Sequence, residues 1–436
     1  MAESSELGGF ETMIKMLIIA DDFTGALDTG VKFSTAGAKT KVVMDMEINF
    51  HQEVPEEVLV LCAPTRHLPA KQAYDTILKI VRRAAQAKIG CIYKKTDSAL
   101  RGNIGAELSA ALDGSGEKAI FFIPALPAMN RITLEGTHYI DGIPVAQSVF
   151  GQDPFEPVEQ SYIPDLLHQQ CDVPVHVISR EGMENIFSEE LDGICVFDCT
   201  SKADMEKEVQ LLADQNCLHL LAGCSGLAES LPDWLGLTST DTGEKKKSLN
   251  KLMVICGSVN PISCCQLDYG EHCGYRRIHI SADNLLETGE KIRQDGNDPL
   301  EYLWNAYRQS EYLMIDSLQG DGEQVVERTS NLTLEEIRQR ISHSLGRIIK
   351  GLLDRGADSR ILIIGGDTLL AFLEAIRCTE LTPVRELQPG VVLSLVTYQG
   401  KQYEVLSKSG GFGEENLLET LQEEYEVPKA KRKVSN

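Results

Sequence analysis

The sequence predicts an α/β protein of two domains, each with a mostly parallel sheet flanked by helices and with ligand sites at strand C-termini facing an interdomain cleft. Three observations predict it. Short, wholly apolar runs alternate with helical patterns along most of the chain, as expected for βαβ units whose strands are covered on both faces. At 436 residues the chain is too long for one ordinary core. A polar stretch at 237–250, LTSTDTGEKKKSLN, interrupts the alternation with a Lys run and no apolar period, and reads as a linker. The boundaries that follow are a disordered extension at 1–14, a first α/β domain at 15–236, the linker at 237–250, a second α/β domain at 251–424 and a basic disordered tail at 425–436.

The strands of the first domain are expected at 15–20, 41–44, 58–61, 91–94 and 119–123, with 175–178, 193–197 and 218–221 extending the sheet. Helical spacing of apolar residues falls at 29–36 and 71–87. The segment 124–157 is rich in Pro and Gly and has little regular pattern, so it reads as a functional loop or lid. Its polar candidates are Asn130, Arg131, His138 and Asp153. After the linker, strands are expected at 251–256, 277–280, 312–316 and 360–364. A long amphipathic helix at 334–355 has Thr333 as its N-cap and Glu in its first turn. The runs 391–396 and 403–408 read as a hairpin or paired late strands.

Composition narrows the function. The formal net charge of −23 repels nucleic acid and anionic membranes, while leaving room for a locally positive pocket. No apolar run is long enough to span a bilayer, and the N-terminus lacks a basic segment followed by an apolar one. Twelve cysteines are scattered without a C-x-x-C pair or zinc spacing, which points to reduced thiols and a cytoplasmic location. The oligomeric state stays open, with a homodimer among the options.

Residues able to do chemistry gather at strand ends. Asp21 and Asp22 follow the first strand and precede Gly25 and a helical pattern. One carboxylate can face a crevice as hydroxyl acceptor or general base while the other anchors the loop. Lys95, Asp97, Ser98 and Arg101 follow the strand at 91–94, where open α/β sheets bind ligands. Arg66 follows the strand at 58–61 and joins the same rim. Arg66, Lys95 and Arg101 together make a positive pocket suited to a small carboxylate, with Asp22 or Asp97 near an acceptor hydroxyl.

In the second domain three Gly-containing turns each follow a strand: Gly257-Ser258, Gly365-Gly366-Asp367-Thr368 and Lys408-Ser409-Gly410-Gly411. Consecutive N–H groups leading into a helix cradle phosphate. Lys408 could neutralise phosphate charge, and Asp367 could hold a Mg²⁺-bound water. No Walker A sequence occurs, and no G-x-G-x-x-G follows the first strand. The combination reads as a two-substrate enzyme that moves a phosphoryl group. A non-catalytic two-domain sensor of the small acid, and less so a nucleotide-dependent dehydrogenase, are the competing classes.

The motifs ADDFTGALDTG (20–30), KKTDSALRGN (94–103), YIDGIPV (139–145), CGSVNP (256–261), GGDT (365–368) and SKSGGFG (407–413) resemble, in order, those of the four-carbon acid sugar kinase family. The resemblance runs from about residue 16 to 421. It implies a sugar-binding N-terminal domain and a nucleotide-binding C-terminal domain that phosphorylate the terminal hydroxyl of threonate, erythronate or 3-oxo-tetronate with ATP and Mg²⁺. It implies that Asp21, Asp22, Arg66, Lys95, Thr96, Asp97 and Ser98 contact the acid sugar. Ser258, Gly365, Gly366, Asp367, Thr368 and the loop around Gly410 would contact ATP. One departure stands out: Asn130 occupies a position where the family pattern has Gly, which alters the backbone freedom of that turn.

Overall fold

The computed structural model describes residues 14–51, 55–153, 156–188, 191–239, 251–281, 285–286, 299–317 and 332–425. Most of the expected N-terminal extension, linker and basic tail lie outside these residues. The chain divides into two compact units that part between Thr242 and Gly243.

The first unit contains β1 (Met16–Ala20), β2 (Thr40–Val43), β3 (Val58–Cys62), β4 (Cys91–Lys95) and β5 (Ala119–Ile123). After a small separate sheet come β9 (Val175–Ile178), β10 (Gly193–Phe197) and β11 (Leu220–Gly223). The order across its main sheet is β2-β3-β1-β4-β11-β5-β10-β9, parallel throughout. Every residue of β1, β3, β4 and β10 is buried, which explains the unbroken apolar runs of β1, β3 and β10. Helices α2 (Ala70–Gln86) and α3 (Ile104–Ser115) contribute Ile77, Ile80, Val81, Leu108 and Ala111 to the core that covers Leu17 and Ile19. The chain leaves β1 toward β3 and returns on its other side as β4. The turns after β1 and β4 therefore flank a topological switch point, where such sheets bind ligands.

Helix α1 (Phe23–Thr35) starts six residues before the expected 29–36. Asp22 caps it, accepting from the Gly25 N–H at 2.7 Å, and Gly25 and Gly30 dilute the apolar period in its first turns. The segment 124–157 is also more ordered than its composition suggests. It folds into a separate antiparallel sheet of β6 (Arg131–Leu134), β7 (Thr137–Ile140) and β8 (Ile143–Pro144). Asp198, at the end of β10, anchors this sheet by accepting from the N–H groups of Glu135 and Gly136, both at 2.8 Å. Nearby, the helix Lys202–Asp214 buries Glu208, whose Oε2 has no hydrogen-bond partner among the described residues.

The second unit orders β13 (Arg276–His279), β14 (Tyr312–Asp316), β12 (Leu252–Cys256), β15 (Arg360–Ile364), β18 (Lys401–Lys408), β17 (Val391–Tyr398) and β16 (Glu380–Gln388). The first five are parallel; β18, β17 and β16 form an antiparallel meander. Here the switch point lies between β12 and β15. The expected helix is present as Leu334–Asp354 with a complete capping box: Thr333 Oγ1 accepts from Glu336 N–H at 3.2 Å, and Glu336 accepts from Thr333 N–H at 2.7 Å. β16 is absent from the sequence-based reading because Pro383 and four charged or amide side chains mask it, and two register shifts absorb its irregularity.

Candidate active site

In the first unit the three expected strand ends converge. β1 delivers Asp21 and Asp22, β3 delivers Arg66, and β4 delivers Lys95 through Arg101. Arg66 clamps Asp21 with Nε at 2.8 Å and Nη2 at 3.1 Å, and holds Asp22 with Nη1 at 2.6 Å. Arg101 clamps Asp97 in the same way, Nε at 2.9 Å and Nη2 at 3.0 Å, while its Nη1 lies 3.4 Å from Asp153. Asp97 also accepts from the N–H groups of Ala99 and Arg101, both at 3.2 Å. Burial would push the Asp97 carboxyl up, but Arg66 and Arg101 outweigh it and hold the group far below the usual carboxylate range. Asp21 is lowered for the same reason, with Arg66 and Lys94 overcoming burial.

The pairing changes the expected positive pocket. Arg66 and Arg101 spend their guanidinium groups on acids of the chain itself. Lys95 does not: it is buried, donates to the Thr96 carbonyl at 2.8 Å, and has no carboxylate partner among the described residues. Its neighbour Thr96 is also buried, and its hydroxyl has no hydrogen-bond partner among the described residues. A methyl group at Gly25 would lie 2.9 Å from the Lys95 ammonium and 2.5 Å from Asp22 Oδ1. Only a residue without Cβ lets the helix start press this close to both groups.

Behind these residues lies a buried pair that sequence reasoning missed. Lys94 meets Glu107 at 2.8 Å, and Glu107 also accepts from the Thr65 hydroxyl. The signal was present: two consecutive lysines in a fully buried strand demand an acid nearby. Asn103 ties the loops together, its amide donating to the carbonyls of Thr65, Arg66 and Leu68 at 2.7–3.2 Å. His138 has a structural place: it donates Nε2–H to the Ser98 carbonyl at 3.0 Å, leaving Nδ1 to accept from Thr133 at 3.2 Å. Burial pushes it down to about 4, so it is neutral at physiological pH.

In the second unit β12, β15 and β18 stand side by side, with Cys256, Ile364 and Lys408 in register. Their turns meet. The Gly257 N–H donates to Ile364 at 3.0 Å, the Gly365 N–H to Lys408 at 2.9 Å, and the Ser263 hydroxyl to Gly410 at 2.8 Å. Gly365 caps the helix Gly366–Ala375 at φ 113°, a conformation closed to side chains. Thr368 is buried in this first turn, and Asp367 is exposed with Arg338 Nε 3.4 Å away. Lys408 is buried with only carbonyls and the Ser263 hydroxyl around its ammonium. Among the described residues it has no carboxylate partner, and burial pushes it down to about 8. Ser258 lies beside these groups, its Oγ 3.4 Å from Ser263 Oγ.

Among the described residues no group of three acidic, His or Cys side chains could hold a metal by itself, and no helix is long and apolar enough to cross a membrane.

A family model described as a sugar-binding N-terminal domain matches residues 16–231, and one described as a nucleotide-binding C-terminal domain matches residues 253–418. The fold and these two matches describe a two-domain α/β chain, and its curated relatives, named kinases of four-carbon sugar acids, make it a phosphotransferase that acts on an alcohol group. The chain belongs to the four-carbon acid sugar kinase family. The D-threonate kinase of Salmonella typhimurium is 27% identical over 419 residues, covering 93% of this chain and 97% of its own. The D-erythronate kinase of Heliobacterium modesticaldum is 26% identical, covering 86% and 89%. The 3-oxo-tetronate kinase of Pseudomonas fluorescens is 25% identical, covering 91% and 93%. Among solved structures, a Salmonella typhimurium LT2 protein provisionally called a tRNA synthase superposes with a TM-score of 0.78 at 21% identity, covering 94% of this chain and 99% of its own. A Haemophilus influenzae protein does so at 0.73 and 18%, covering 94% and 100%. These two likenesses concern the fold.

Proposed function

We propose that this chain transfers the γ-phosphoryl group of ATP to the terminal hydroxyl of a four-carbon sugar acid of the threonate, erythronate or 3-oxo-tetronate type. The observation that carries the reading is the pair of buried lysines, Lys95 at the end of β4 and Lys408 at the end of β18, that have no carboxylate partner among the described residues. A buried ammonium surrounded by carbonyls is costly unless an anion completes it. Lys95 would take the acid sugar and Lys408 the phosphates. Two anionic substrates on two units are what a sugar-acid kinase requires.

In this reading the substrate hydroxyl gives its proton to a carboxylate as its oxygen bonds to the γ-phosphorus and the bond to the β–γ bridging oxygen breaks, releasing ADP. Asp22 suits the proton acceptor better than Asp97. Asp97 already accepts two backbone N–H groups and two from Arg101, which fill its lone pairs. Arg66, itself clamped by Asp21, holds Asp22, and Arg101 holds the turn that carries Thr96 and Ser98 through Asp97. In the second unit Ser258, Gly365, Gly366, Thr368, Gly410 and Gly411 would present N–H and hydroxyl groups to the phosphates. Mg²⁺ would neutralise phosphate charge, held mainly by phosphate oxygens and water, with the exposed Asp367 reaching it through a water. A lone carboxylate fits that arrangement. Bringing donor and acceptor into line and excluding water would supply much of the rate. Cytoplasmic residence belongs to the same reading, since all twelve cysteines are free thiols, the state a reducing compartment maintains.

A coupled assay of ADP release with D-threonate, D- and L-erythronate and 3-oxo-tetronates tests this directly. Acid-dependent ADP release supports it; none with any acid of the panel would leave only a binding protein.

A further inference from the structure

We propose that Arg131, on the small antiparallel sheet, is the residue that takes the substrate's carboxylate, with Lys95 as the second cation. The assignment rests on the sugar-acid reading and adds a specificity determinant to it. It begins from the partners of the arginines around the 95–101 turn. Arg66 places all three of its nitrogens on Asp21 and Asp22, and Arg101 places all three on Asp97 and Asp153. Both guanidinium groups are thus already held by carboxylates of the chain itself. Arg131 is different. Its Nη1 donates to the Ser98 hydroxyl, and among the described residues its buried Nε has no hydrogen-bond partner and no carboxylate pairs with it.

A guanidinium with an unsatisfied Nε keeps the donor edge that a carboxylate grips with two parallel hydrogen bonds. Leaving that N–H buried and unmade costs about 1–3 kcal/mol, a cost that an arriving carboxylate removes. The side chain is also held in place beforehand. The Phe150 ring centroid lies 5.2 Å from the Arg131 guanidinium carbon and 5.2 Å from that of Arg101, which restricts both groups. The backbone is equally fixed: Arg131 and Leu126 exchange hydrogen bonds at 3.2 and 2.8 Å, and Arg131 pairs with Ile140 in β6–β7.

The departure at position 130 fits this arrangement. Asn130 ends the turn after Pro127–Met129 at φ 52° and ψ 31°, in the left-handed region. Asn is the non-glycine residue that best tolerates that region, so the turn that launches Arg131 keeps its geometry. The ligand class that follows is a short hydroxy acid bound through its carboxylate. The amide or polyol of the same carbon skeleton would be discriminated against at this end.

Calorimetric binding to the full chain tests the assignment. D-threonate, D- and L-erythronate and the amides of each are titrated into wild type, Arg131→Gln and Arg131→Lys. Loss of a bidentate charge-assisted contact should weaken binding of the preferred acid by roughly 10- to 100-fold in Arg131→Gln. The ratio of acid to amide affinity should collapse toward one, and Arg131→Lys should restore part of it. Equal loss for acid and amide would mark a merely structural arginine and overturn the proposal. So would unchanged acid affinity in Arg131→Gln, or the failure of every acid to bind wild type. Binding without ADP release would count against the kinase reading alone.

Discussion

The ammonium of Lys408 lies 3.0 Å from the carbonyl oxygen of Gly410 and 3.1 Å from that of Ser409, at the end of β18. Burial lowers its proton affinity from the ordinary 10.5 to about 8. Below pH 8 it is charged and ready for phosphate. Above pH 8 it is neutral in the free enzyme, and binding phosphate must first return its proton. KM for ATP should therefore be flat below pH 8 and rise above it, by roughly tenfold per pH unit at first. The guanidinium of a Lys408→Arg variant stays charged throughout, so the rise should vanish. A pH series of KM for ATP on both proteins checks this. The same group bears on stability. Between pH 8 and 10.5 the unfolded chain holds a proton that the folded one lacks, so stability from this site rises with pH across that window.

Gly25→Ala is expected to damage acceptor binding out of proportion to its size. The new methyl would press on Asp22 Oδ1 at 2.5 Å and the Lys95 ammonium at 2.9 Å. Displacing a reacting group by about 1 Å costs on the order of 100-fold. kcat/KM for the sugar acid should fall by about that factor while KM for ATP stays near wild type. Steady-state kinetics with each substrate varied in turn reads the split.

Asp22→Asn and Asp97→Asn should fail in different ways. The first removes the proposed proton acceptor, and kcat should drop by roughly 10²–10⁴ in a folded protein. The second strips Arg101 and Arg66 of a buried anion, which costs on the order of 3–5 kcal/mol, seen as a lower melting temperature. Asp97 is held below its usual range in the folded state. Its contribution is thus complete above about pH 4 and drains away as the pH falls further. The gap in stability between wild type and Asp97→Asn should narrow in acid. Acid titration followed by circular dichroism measures it.

Glu208 works in the opposite sense. Burial first, and Asp204 next, push its carboxyl from 4.5 up to about 8. Between those values the folded state keeps a proton that the unfolded state releases, so stability falls as pH rises from 4.5 to 8. Glu208→Gln removes the penalty and should stabilise the protein by on the order of 2–4 kcal/mol at about pH 8, with little effect near pH 4. Chemical denaturation at the two pH values distinguishes these outcomes.

The strands that carry the site were readable because they are buried on both faces. Residues 16–20, 252–256 and 361–364 are continuous apolar runs that stop at a charged or Gly turn, a pattern that suits strands covered on both faces. Which charges would be left over was not readable. The Arg66–Asp21 and Arg66–Asp22 pairs join residues 45 and 44 positions apart, and only the folded sheet shows that Arg66 is spent while Lys95 is not. The small sheet β6–β8 escaped notice for another reason. Its strands are two to four residues long, too short for a period, and the Asp198 bonds that anchor it come from a residue more than 60 positions away. β16 was hidden by Pro383, a residue that argues against a strand wherever N–H donors are needed.

The side-by-side registration of Cys256, Ile364 and Lys408 sets a timetable for the appearance of nucleotide affinity. The Ser263–Gly410 hydrogen bond closes a span of 147 residues, and β18 is the last of these strands to leave the ribosome. A nascent chain that has finished β12 and β15 owns two of the three turns but lacks the lysine. Phosphate affinity should thus emerge abruptly when β18 docks, late in synthesis. From then on bound nucleotide pulls the folding equilibrium of the second unit toward its native state.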